Sequence, residues 1–262
     1  MESKAFEDYT ERLQASLGDI RAVVGLVVLG STADPKLHDE WSDHDFWVIT
    51  ETGAQDSLVQ DLSWLPDAHE ILLVVTHGKH RRTVMYKDRH KVEFAVFDMN
   101  EAREGKVVRY RILIDGDHIA ELIDAVHQQT LKDAETRQDA LENLCVLLWT
   151  ACERYSRGEL LSARQYVDGF AVNQLLSLIS ENVEAEQNRD ALDPRRRLET
   201  SSPDLAEEVL ILVGKSVPEA AIGLLQIAER ELKAKAPALP WDKTKMVGGW
   251  IQTLLLNDQR NL

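Results

Sequence analysis

Apolar and polar positions alternate on two different periods along this chain, and the change comes a little before the middle. In the first part the apolar residues fall in short runs. Val23–Leu29 is apolar throughout apart from Gly25 and rich in valine, as expected of a strand covered on both faces. Phe46–Ile49, Ile71–Thr76, Thr83–Lys87, Val92–Phe97 and Arg111–Asp115 read as further strands. Two helices are predicted among them. Ala5–Leu17 brings Phe6, Tyr9, Leu13 and Leu17 to one side, and Asp56–Leu65 does the same with Leu58, Leu62 and Leu65.

From His118 the period is helical and stays so. Spans 119–130, 135–155 and 159–180 carry apolar stripes, with Arg157-Gly158 ending the second of them. A polar, proline-interrupted stretch, 182–202, separates these from helices expected at 203–213, 218–235 and 241–256, each opened at or beside a proline. Strands followed by helices, rather than alternating with them, predict an α+β chain. The boundary falls within 116–134 and is drawn as a sheet domain over 1–120 and an α-helical bundle over 121–262. No internal repeat or low-complexity tract appears.

The candidate chemistry sits where the first strand meets the second. Gly30-Ser31 closes Val23–Leu29, and after eleven residues Asp43-His44-Asp45 runs straight into Phe46–Ile49. A strand puts residues two apart on one face, so Asp43 and Asp45 point one way and His44 the other. Two carboxylates that close stay ionised cheaply only with a cation between them. A hard divalent ion, Mg2+ where phosphates are involved, suits them. Gly30 lets the backbone approach a phosphate, while Ser31 offers a hydroxyl and an amide as donors.

A third acid stands in mid-strand. Glu93 interrupts Val92–Phe97, a costly place for a carboxylate unless it is paired, bound to metal or on an edge facing water. Asp98 is the alternative third acid, but a strand exit is where aspartate commonly caps a turn.

Gly-Ser, a gap of eleven, and Asp-x-Asp leading an apolar strand resemble the nucleotidyltransferase signature of the DNA polymerase β superfamily. Within it the chain is most similar to the aminoglycoside and lincosamide nucleotidyltransferases. The resemblance implies a small mixed β-sheet catalytic domain, a helical substrate-binding bundle and a cleft between them. It implies one or two Mg2+ ions held by Asp43, Asp45 and Glu93, with Glu93 also deprotonating the acceptor hydroxyl. It further implies ATP as the most natural donor, with its phosphates at Gly30, Ser31 and Ser42, and a small hydroxyl-bearing acceptor. The segment Arg157–Arg164 resembles a recurring part of these enzymes. Arg164 is therefore a nucleotide-phosphate candidate, against an intrahelical pair with Glu159 or Asp168. Arg195–Arg197 is a second candidate clamp, against a solvated face. His44 departs from the pattern, because relatives carry an apolar residue between the acids; it reads as a hydrogen-bonded core histidine.

Charge narrows the partners. The chain carries 45 acids and 30 bases, a formal charge of −15, which repels nucleic acid and attracts cationic small molecules. No apolar run reaches the roughly 18 residues of a membrane span. The N-terminus lacks the pattern of a secretory signal. Cys145 and Cys152, seven residues apart on one helix, lie about 10 Å from each other, too far to bridge. A cytoplasmic protein without a membrane partner is expected. Three other classes share parts of the signature: a glycosyltransferase, a non-catalytic nucleotide sensor or antitoxin-like protein, and a protein AMP-transferase. The first needs a Rossmann-like half ahead of its acids, for which some forty residues leave no room.

Overall fold

The computed structural model describes residues 3–34, 36, 39, 41–116, 118–132, 137–180 and 193–258. The chain divides into two compact units, Met1–Ala134 and Glu135–Leu262. The first contains six strands: β1 (Val23–Leu29), β2 (His44–Thr50), β3 (Ile71–Thr76), β4 (Arg81–Tyr86), β5 (Lys91–Asp98) and β6 (Tyr110–Asp115). They form one sheet in the order β3-β4-β5-β2-β1-β6. Neighbours run antiparallel except β2 and β5, which are parallel. The mixed sheet expected of the fold is therefore present.

Period-two alternation splits its side chains between two cores. Leu26, Val28, Phe46, Val48, Phe94 and Val96 pack with Tyr9, Leu13 and Leu17 of helix α1 (Ser3–Gly18) and with Leu58 and Val59 of α2 (Gln55–Gln60). On the other face Val27, Trp47, Ile49, Ala95 and Phe97 meet Ala102 of α3 (Met99–Arg103) and Ile119, Leu122, Ile123 and Val126 of α4 (Ile119–Lys132). α4 approaches so closely that a Cβ on Gly25 would lie 3.0 Å from Ile119. That contact explains the one interruption in the apolar run of β1.

Two local expectations change. The helix expected over 56–65 stops at Gln60, because Trp64 folds back and donates its indole N–H to the Leu58 carbonyl at 2.9 Å. The short helix α3 follows β5 directly, capped by Asp98, whose Oδ1 accepts from the amides of Asn100 and Glu101, both at 2.9 Å. Asp98 is thus occupied with a helix end. The outer strand β3 leaves Leu72, Leu73, Val74 and Val75 exposed.

The second unit is helical: α5 (Arg137–Ser156), α6 (Leu160–Arg164), a π-helical turn over Gln165–Ala171, α7 (Val172–Ser180), α8 (Leu198–Ser201), α9 (Pro203–Val213), α10 (Val217–Leu232) and α11 (Trp241–Asp258). Leu141, Leu144, Leu148, Leu175, Leu224 and Ile227 are among the residues of its core, which also contains Cys145 and Cys152. Both cysteines are free. Among the described residues no helix is long and apolar enough to cross a membrane.

Candidate active site

The register of β2 on β5 brings the acids together. Asp45 lies directly opposite Glu93 and His44 opposite Val92. In a parallel pair such partners share a face, so Asp45 and Glu93 project on the side of Trp47, Ala95 and Phe97. Asp43, two residues ahead of Asp45, belongs to the same side. It is tied to Glu93 by a group that sequence reasoning did not single out. Lys91 Nζ stands 2.8 Å from Asp43 Oδ2 and 2.9 Å from Glu93 Oε1. The acids thus occupy the leading end of the two parallel strands, before α4 covers the same face.

Burial alone would lower the Lys91 pKa, but hydrogen bonds to Asp43 and Glu93 outweigh it and hold the ammonium above the ordinary lysine value. The pair is partly screened, since the side chains of Lys91, Asp43 and Glu93 are 40%, 23% and 45% exposed.

A turn of 3₁₀ helix, Gly30–Ala33, leads from β1 towards the acids. Gly30 adopts φ +54°, with open space where a Cβ would stand. A left-handed residue at the end of a buried strand favours glycine. Ser31 is buried in this turn. Thr32, fully buried, joins the turn to the acid segment: its hydroxyl donates to the Asp43 carbonyl at 3.1 Å and accepts the Asp45 amide at 3.0 Å. Nothing in its spacing from the acids marks Thr32 out; only the folded turn does. The Ser42 hydroxyl donates to Asp39 Oδ1 at 3.1 Å and accepts the Asp39 amide at 2.9 Å, so it also braces the loop before Asp43.

Behind the acids, on the other face, His44 is fully buried. It stacks on Phe6 at 3.7 Å between ring centroids. Its Nδ1 shares a proton with His90 Nε2 at 2.8 Å, and its Nε2 lies 3.0 Å from the Thr10 hydroxyl. This is the hydrogen-bonded core histidine that the alternation predicts.

Among the described residues no three His, Cys, Asp or Glu side chains are gathered as a metal site. The point between Asp43 and Glu93 is held by an ammonium instead. The donor set still suits a hard divalent ion. It offers carboxylate oxygens only, and two of them already converge on one positive centre.

Arg164 lies in the second unit. Its guanidinium reaches Asp168 Oδ1, four residues on, at 3.4 Å, and donates to the Lys215 carbonyl. Arg195 donates to the carbonyls of Asp168 and Gly169, so both arginines engage the π-helical turn. His80, in the turn between β3 and β4, is buried between Glu101 Oε1 at 2.7 Å and Asp56 Oδ1 at 3.1 Å.

Over residues 15–192 the sequence matches the family model described as streptomycin adenylyltransferase. The chain belongs to the streptomycin adenylyltransferase family. It is accordingly a nucleotidyltransferase enzyme, and the acid strands, the Gly-Ser turn and Thr32 all lie inside the matched span. No curated protein sequence matches the chain. Three solved structures are similar to this adenylyltransferase family member at low identity. A nucleotidyltransferase-like protein from Exiguobacterium sibiricum shares 14% identity over 88% of this chain and 77% of its own, at TM-score 0.35. An aminoglycoside 6-adenyltransferase from Bacillus subtilis shares 12% over 95% and 98%, at TM-score 0.37. A STING-associated CdnE c-di-GMP synthase from Capnocytophaga granulosa shares 13% over 96% and 82%, at TM-score 0.32. The assignment to the adenylyltransferases rests on the sequence match alone.

Proposed function

We propose that this enzyme transfers AMP from ATP to a hydroxyl of a small cationic acceptor, an aminoglycoside antibiotic, and releases pyrophosphate. The observation that carries this reading is the register of Asp45 against Glu93, with Asp43 on the same side. It puts acids from two distant segments at one strand end, which Thr32 ties to the glycine-serine turn.

In this reading Asp43, Asp45 and Glu93 would hold Mg2+, which when bound neutralises charge on the triphosphate and at the α-phosphorus. The phosphates come close to the backbone at Gly30, whose own amide donates to the Arg109 carbonyl at 3.1 Å, and are received by the amides and hydroxyls of Ser31 and Ser42. For Ser42 that means giving up Asp39. Glu93, half exposed, accepts the proton of the acceptor hydroxyl as its oxygen bonds to the α-phosphorus. The bond from that phosphorus to the bridging oxygen breaks, and pyrophosphate leaves. Thr32 fixes the backbone of both aspartates, so their positions are set before substrate arrives. The acid excess of the whole chain steers a polycationic acceptor towards such a site.

The test is pyrophosphate release from ATP and Mg2+ over a panel of streptomycin, other aminoglycosides, lincosamides and hydroxyl-bearing metabolites. Asp45→Asn and Glu93→Gln should each lower kcat/KM for the best acceptor by about 10³-fold or more, as expected for groups acting on the transition state. A fully active Asp45→Asn enzyme would end the proposal. So would release of pyrophosphate with none of the acceptors.

A further inference from the structure

The ammonium between the acids is more than a surface ion pair. Lys91 opens β5, so its backbone is fixed by its pairing with Met85 of β4, one residue ahead of the point where β5 joins β2 at Val92. From there Nζ reaches oxygens of two of the three carboxylates assigned to the metal, at 2.8 and 2.9 Å. Those are ammonium distances. A magnesium ion takes the same oxygens at about 2.0–2.1 Å, in a shell that an N–H donor cannot enter. Ammonium and metal ion therefore compete for one set of lone pairs and repel each other as like charges.

We propose that Lys91 is a resident counter-ion of the acid site, which a divalent cation must displace and which the triphosphate then receives. While no metal is bound, Lys91 keeps Asp43 and Glu93 drawn together against their mutual repulsion. When the metal enters, Nζ leaves both oxygens but stays tethered at the head of β5, beside the acid segment. An anionic triphosphate offers it new partners. Cation and nucleotide binding are then coupled: each is weak alone, and each strengthens the other by the same factor. Lys91 is thus a positioning residue that makes loading of the site cooperative. This inference rests on the reading that Asp43, Asp45 and Glu93 hold a divalent ion.

Mn2+ serves as the probe, with free ion counted by electron paramagnetic resonance in the presence and absence of a non-hydrolysable ATP analogue. Four proteins are compared: the unmodified chain, Lys91→Met, Lys91→Arg and Asp45→Asn. Without nucleotide, Lys91→Met should bind Mn2+ about 10- to 100-fold more tightly than the unmodified chain, because a competing charge is gone. The gain in Mn2+ affinity on adding the analogue should shrink by a similar factor, about 10-fold or more. Lys91→Arg, which keeps the charge, should stay near the unmodified chain. A merely structural ion pair predicts the opposite, since its loss would loosen the site and weaken Mn2+ binding. If the unmodified chain binds Mn2+, Asp45→Asn abolishes it, and Lys91→Met binds no more tightly, the counter-ion role falls while the metal reading stands. If none of the four binds Mn2+ with or without nucleotide, both fall together.

Discussion

Replacing Thr32 by valine removes one oxygen from the acid site and changes almost nothing else. The side chains have nearly the same shape, and the position is fully buried, so no cavity opens. What disappears is a hydroxyl that donates to the Asp43 carbonyl at 3.1 Å and accepts the Asp45 amide at 3.0 Å. Each bond is worth about 1 kcal/mol net, and stranding a buried partner costs about 1–3 kcal/mol, so the change should cost about 2–4 kcal/mol. For a cooperative unit the size of Met1–Ala134, at about 2.1 cal/mol/K per residue, that lowers Tm by about 7–14 °C. Thr32→Ser keeps the hydroxyl and loses a methyl, so it should cost only about 1 kcal/mol. Calorimetry of the three proteins, with urea unfolding as a second measure, reads the difference. Pyrophosphate release should fall further for valine than for serine, since the amide of Asp45 is no longer held. If Thr32→Val unfolds within about 0.5 kcal/mol of the unmodified chain, or serine costs more than valine, the hydroxyl does not fix the acid segment.

Two further predictions concern the sheet. Burial holds the His90 imidazole neutral, with its pKa down to about 4, below the ordinary value near 6.5 that it has in the unfolded chain. The unfolded chain therefore takes up the proton first as pH falls, and stability present above pH ~6.5 drains away towards pH ~4. About 2–3 kcal/mol should be lost by pH ~4.5. In urea unfolding, His90→Gln should show a flatter dependence over that window, and equal slopes would refute the assignment. Gly116→Ala puts a Cβ 2.5 Å from the Val24 carbonyl oxygen, which is main chain in β1 and cannot swing aside. A loss of about 2–3 kcal/mol is expected, read by the urea midpoint, and an unchanged midpoint would show that the β1–β6 end yields freely.

Much of this site was readable before folding because strands sort residues by parity. The alternation placed Asp43 and Asp45 together and His44 opposite, and it marked Glu93 as an acid out of place among Val92, Phe94 and Val96. It read β1, β3 and α9 to the residue. What it could not supply is contact between segments. Lys91 falls one residue ahead of the strand expected at Val92–Phe97, and only the parallel register of β5 on β2 sets it between Asp43 and Glu93. Thr32 was hidden for a similar reason. Its partners are main-chain groups eleven and thirteen residues on, and a folded-back turn leaves no periodic trace. α3 was overlooked because it is one turn long and announced only by its cap, Asp98. Candidates in the helical unit were the least legible, since a mid-helix arginine such as Arg164 has a ready partner at Asp168 in any case.

The register that makes the site is itself set by the cost of the alternatives. β2 carries His44, Phe46 and Val48 on one face, all fully buried, and Asp45 and Trp47 on the other. A slip of one residue against β5 would exchange the faces. It would drive Asp43 and Asp45 into the core beneath α1, where an unpaired carboxylate is far too costly to keep ionised. It would also lift the stacked His44–Phe6 pair into water, breaking its bonds to His90 and Thr10. Parallel strands lack a hairpin to fix their alignment, so here the discrimination must come from side chains. The buried histidine between the acids does this well. An apolar residue would resist a slip by burial alone, whereas His44 adds hydrogen bonds to His90 and Thr10 that no shifted register can keep. On this argument His44 serves the site by holding its two neighbours in the alignment that faces Glu93.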